Sequence, residues 1–143
     1  MNHHSGAKSV VKATASVAAS ATFSHEIDTL GFKYAAIDVV FSPFTAATAS
    51  YASVLKVQES DASGSGQADI SGLSVTAGAG STTGAVVGAV VRFNVDLRGR
   101  KRYLTVVTSP GNTVAVVTNA RLSKAETHAI DATAANVNDY KSL

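Results

Sequence analysis

Apolar and polar positions alternate with a period of two along much of the chain, and the alternating runs end at Gly, Pro, Ser, Asn or Asp. That period belongs to a strand with one buried face, because successive side chains on an extended backbone point to opposite sides. In "YAAIDVVFSP", Ala35, Ile37, Val39 and Phe41 fall on one side and Ala36, Asp38 and Ser42 mainly on the other. Pro43, which has no N–H to give to a ladder, then stops the strand. Leu55 and Val57 oppose Lys56 and Gln58 in the same way. The pattern predicts further strands over residues 9–17, 22–28 and 113–122, with weaker ones around Ile70 and over residues 73–76.

The strongest alternation lies in "VRFNVDLRGRKRYLTVV", residues 91–107. Val91, Phe93, Val95 and Leu97 should face a core, and Arg92, Asn94, Asp96 and Arg98 should face solvent. "RGRK" reads as the tight turn of a hairpin in which Gly99 takes a positive φ, with a return strand from Arg102 or Tyr103 to Val107. "SPGN", residues 109–112, supplies a second turn. About eight short strands with regular turns and little helical patterning predict an all-β fold: a single-domain antiparallel β-sandwich, jelly-roll-like. The expected body spans residues 9–123, between an N-terminal arm over 1–8 and a C-terminal arm over 124–143. Both arms lack strand alternation and suit ordering against a neighbour. Two segments of small residues, 60–67 and 77–88, are expected as flexible loops at an exposed end.

Composition narrows the chemistry. A chain of 143 residues fits one domain, and no run approaches the ~18–20 uninterrupted apolar residues of a spanning helix, so a soluble protein with no membrane partner is expected. The absence of cysteine excludes disulfides and thiolate chemistry. "SVVKATASVAASA", residues 9–21, has a faint leader-like character, but Lys12 and several hydroxyl residues interrupt it. The net charge of +2 is too small to name a partner, so any electrostatic role must be local. Arg98, Arg100, Lys101 and Arg102 are the one candidate cluster, four of the chain's 12 Lys and Arg in five positions.

Catalytic and ligand motifs are missing. "GAGSTTG", residues 78–84, lacks the lysine of a phosphate loop. His3, His4, His25 and His128 have no ligand spacing, so no metal and no cofactor is expected. There is no GxSxG elbow, and "HEID", residues 25–28, is read as a strand edge before an acid–base pair; no enzyme is expected. The basic cluster is read first as a contact for acidic groups on a protein partner and second as a solvated turn. Tyr103 alone offers thin stacking and Asp96 offsets part of the charge, so direct nucleic-acid binding is not expected.

Four segments in order, "GFKYAAIDVVF" (31–41), "VLKVQESD" (54–61), "VVRFNVDLRGRKRYLTVV" (90–107) and "ARLSKAE" (120–126), resemble a family of small β-structured virion proteins of tailed bacteriophages, of the head decoration or cement type. The resemblance implies a jelly-roll-like body, commonly a homotrimer, bound to the major capsid protein on the outer surface of the virion. Similar sequences tend to carry a tryptophan after the "ESD" loop, whereas "ASGSGQADI", residues 62–70, has no aromatic. A neck or tail protein and a surface-displayed carbohydrate-binding sandwich are the alternatives. The lack of tryptophan weighs against the latter, since sugar-binding faces usually expose several aromatics.

Overall fold

A computed structural model describes residues 6–46, 52–75, 84–86 and 88–124. Among the described residues there are ten strands and no helix. In chain order they are β1 (Ala7–Val17), β2 (Phe23–Asp28), β3 (Tyr34–Phe41), β4 (Phe44–Ala46), β5 (Ala52–Ser60), β6 (Ala68–Ser74), β7 (Gly84–Val86), β8 (Ala89–Asp96), β9 (Tyr103–Pro110) and β10 (Val114–Ser123). Two four-stranded antiparallel sheets, ordered β1-β10-β3-β8 and β2-β9-β5-β6, form a β-sandwich, and β4 and β7 form a separate two-stranded ribbon.

The alternation decides which side chains are buried. Ala35, Ile37, Val39 and Phe41 of β3, Leu55 and Val57 of β5, and Phe93 and Val95 of β8 all lie in the core, joined by Leu104 and Val106 of β9 and Val116, Ala120 and Leu122 of β10. Val91 is only partly buried and packs against that core. β1 begins at Ala7, two residues before the expected start of the body. Its first two residues pair with Ser123 and Leu122.

One register recurs along the fold until β5–β6, where it shifts after Lys56 so that Gln58 pairs with Asp69. Ala7 pairs with Ser123, Tyr34 with Asp96, Phe44 with Val86 and Lys56 with Ser74, and each pair of numbers sums to 130. In β2–β9 the sum is 131, as in Phe23 with Thr108, after an irregularity in β1 between Thr14 and Val17. The chain is therefore one long antiparallel ribbon with its tip at the 61–67 loop, where Ala62 bridges Ser65. Rolling the ribbon brings β10 against β3 and β9 against β5, which closes the two sheets.

This pairing corrects the expected hairpin at 91–107. β8 and β9 lie in different sheets, so the 97–102 segment is a corner that crosses from one sheet to the other. The "SPGN" turn likewise crosses between sheets. Gly99 does take φ +79, and the Arg100 N–H donates to the Leu97 carbonyl at 3.0 Å, so the local turn chemistry is as expected while the partner strands are not.

The register also assigns the ends of the sandwich. The start of β1, the end of β10, the 29–33, 61–67 and 97–102 connections all lie at one end. Residues 18–22, 42–43 and 111–113 lie at the other. Most of the expected 77–88 loop, and the arms at residues 1–5 and 125–143, lie outside the described residues.

Candidate partner-contact end

The four basic residues of the corner do not stand alone. Arg98 pairs with Asp96, Arg100 with Glu59, Lys101 with Asp61 and Arg102 with Asp28. Two of these are fork-to-fork. Arg98 donates from Nε and Nη2 to the Asp96 carboxylate, and Arg102 donates from Nε at 2.9 Å and Nη2 at 2.7 Å to Asp28. Paired N–H donors in the plane of a carboxylate fix orientation as well as charge. The Arg102 contact holds Asp28 below the usual carboxylate range and raises Arg102 itself. Hydrogen bonds from the Arg98 side chain and backbone pull Asp96 down to about 2.

Sequence distance hid three of these partners. Asp28 is 74 residues from Arg102, and Glu59 is 41 from Arg100. The rolled ribbon sets Asp28 opposite Tyr103 and Ser60 opposite Tyr103 from the other side, so the ends of β2 and β5 flank the corner. Glu59 sits deepest, its side chain 18% exposed, and it also accepts the Lys101 backbone N–H at 3.2 Å. The corner is thus anchored to the β2–β9–β5 sheet by its charges. The Leu97 N–H, donating to the Lys33 carbonyl at 2.9 Å, ties it to the neighbouring 29–33 loop.

The 61–67 loop is exposed, as expected, but it is also tied down. The Ser63 hydroxyl and the Gly64 N–H both donate to the Glu26 carboxylate, which they hold below its usual pKa. Glu26 is on β2 and the loop starts from β5, with β9 between them. The loop must therefore cross the outer face of β9, where Thr105 sits level with both Glu26 and Gln58. This crossing accounts for Thr105 being buried on a face that points away from the core, its hydroxyl without a hydrogen-bond partner. Gly64 and Gly66 take positive φ where the loop turns.

Aromatic faces at this end carry cations. The Arg98 guanidinium lies 5.5 Å from the Tyr34 ring centre and the Lys124 ammonium 4.8 Å from it. Arg102 lies 4.9 Å from the Tyr103 ring. Tyr34 and Lys124 were not among the expected contact residues, because only the pairing of Tyr34 with Ser123 and Asp96 places them beside the corner.

His25 lies elsewhere, and it is not part of an acid–base pair. Its ring is buried between the sheets, with Nδ1 2.5 Å from the Thr118 hydroxyl of β10. Thr118 in turn donates to the Lys12 carbonyl of β1 at 3.3 Å. Burial, and then the nearby Lys12 charge, lower His25 from 6.5 to about 4. Glu26 and Asp28 alternate with it and point to the opposite side of the sheet, so the "HEID" acids and histidine do not converge. Among the described residues no group of three His, Cys, Asp or Glu gathers in a way that could hold a metal ion. No family model, curated protein or solved structure matches the chain.

Proposed function

We propose that the protein is a non-enzymatic structural component of a virion, a decoration or cement protein on the outer surface of a capsid shell. One observation carries this reading: the start of β1 and the end of β10 lie at the same end of the sandwich as the charged corner. A cement protein needs a stiff body that presents several contact elements together, because linked contacts reinforce one another through effective concentration. The rolled ribbon suits the jelly-roll body that the family resemblance implies. The cations over Tyr34 and Tyr103 favour a polar protein contact at this end over sugar stacking.

Arg98, Arg100, Lys101 and Arg102 are the proposed contact residues, with the major capsid protein as partner. Arg98 leads, its side chain 66% exposed against 40–44% for the other three. Each cation already holds a carboxylate of its own chain, so binding exchanges one acidic partner for another. Its salt dependence should therefore be shallow. The direct test is co-sedimentation of the purified full chain with expanded heads of the phage that encodes it, beside an unrelated β-sandwich. Saturable binding above the control is expected, and parity with the control removes the proposal.

A further inference from the structure

Among the described residues the two sheets have four edge strands, and three of them carry devices that discourage pairing with another chain. β1 has its irregularity between Thr14 and Val17, and Lys12 reaches across the open seam to the Ser24 carbonyl and the Phe23 ring. That same contact occupies part of β2, a six-residue strand. β6 pairs irregularly with β5 and contains Gly72 at φ +83. Bulges, short strands and inward-directed charges are the usual protections of a sheet edge.

β8 has none of them. Its eight residues pair one for one with β3, without a register shift and without Pro, Gly or Lys. Among the described residues no strand pairs with its other side. An unprotected regular edge presents a row of backbone donors and acceptors to any strand of matching sequence.

The side chains of β8 supply that match. Arg92, Asn94 and Asp96 point outward and are all exposed, with Asn94 midway between opposite charges. We propose that, in place of the homotrimer the resemblance implies, two copies of the chain pair through β8, antiparallel about a twofold axis at Asn94, joining two four-stranded sheets into one continuous sheet. Arg92 of each copy then faces Asp96 of the other, Asn94 faces its own counterpart, and Phe93 faces Val95 on the core side.

Other registers are poorer. Side chains must stay on their own faces, so the axis has to fall at a residue, and a one-residue slip between strands inverts every side chain. An axis at Arg92 sets two guanidinium groups against each other, and an axis at Phe93 sets Asp96 against Val90. Only the axis at Asn94 makes both charges complementary, and cross-strand partners at ~5 Å are close enough for that to count. Arg92 keeps Asp38 and Asp96 keeps Arg98 within each copy, so the interface adds a four-charge network without leaving any group unpaired.

The test uses the full chain and its lack of native cysteine. Light scattering after size exclusion should give twice the 14.5 kDa chain mass. Asn94→Cys should form a disulfide-linked pair on mild oxidation, because opposed residues of an antiparallel pair lie within disulfide range. Val11→Cys, also exposed and on the β1 edge, should not. Asn94→Lys sets two ammonium groups at the axis and should raise the dissociation constant by up to about fivefold. A mass of one chain or of three, equal cross-linking of the two cysteine variants, or an unchanged dissociation constant for Asn94→Lys would overturn the proposal.

Discussion

The seam at His25 and the charged end at Arg98–Arg102 both hold the two sheets in place, and they do so by opposite means. At the seam one buried ring reaches from β2 to Thr118 on β10, in a place where little solvent is at hand to replace a lost partner. At the end, several ion pairs share the task, and all are at least partly wet. A buried polar contact is strong because breaking it strands a desolvated group, whereas an exposed ion pair trades one solvated state for another. The seam should therefore respond to pH and to single substitutions, and the end mainly to salt.

The largest effect expected is on acid stability. His25 has a folded pKa of about 4 against 6.5 for the free side chain, so the folded state favours the neutral ring. Above pH 6.5 this has no consequence. Between about 6.5 and 4 the unfolded chain takes up a proton that the folded chain refuses, and stability falls, by at most about 3 kcal/mol and by less where water at the seam screens the charge. Urea midpoints across that range should show the loss, and His25→Gln should flatten it. Glu26, Asp28 and Asp96 have lowered pKa values, so their contribution is lost only at lower pH, as it falls through those values.

Next comes Thr118→Val, which keeps the shape but leaves the His25 Nδ1 without its acceptor; a cost of about 1–3 kcal/mol is expected in denaturant unfolding at neutral pH. Glu59→Gln should cost about 1 kcal/mol, because it weakens the Arg100 pair and the cap on the Lys101 N–H, and the difference from the native protein should shrink in high salt. Lys101→Ala is expected to change stability by less than about 0.5 kcal/mol, since its partner Asp61 is largely exposed. If Lys101→Ala proved as costly as Thr118→Val, the contrast between seam and end would fail.

The sequence was most legible where the physics is local. The inward faces of β3, β5 and β8 follow from alternation alone, and Gly99 at positive φ follows from turn chemistry. It misled at the 97–102 corner. Two alternating runs joined by a glycine-bearing turn look the same whether they pair with each other or fold into separate sheets. The basic cluster was legible as a run of charges, but its acids at Asp28, Glu59 and Asp61 were not, because pairing across 40 or more residues leaves no mark in spacing. The 60–67 segment read as slack for a related reason: small residues say nothing of the Glu26 carboxylate that ties Ser63 and Gly64.

By itself the sequence determined that this is a β-protein, which side of most strands is buried, and where the chain turns. Those properties depend on neighbours one or two residues away, within reach of a single strand's geometry. Only the tertiary structure decided that the chain is one ribbon rolled on itself, which carboxylates meet the basic corner, and that no strand among the described residues pairs with the outer side of β8. A strand's period fixes its faces but not its partners, and partners are chosen by how the whole ribbon closes around its core.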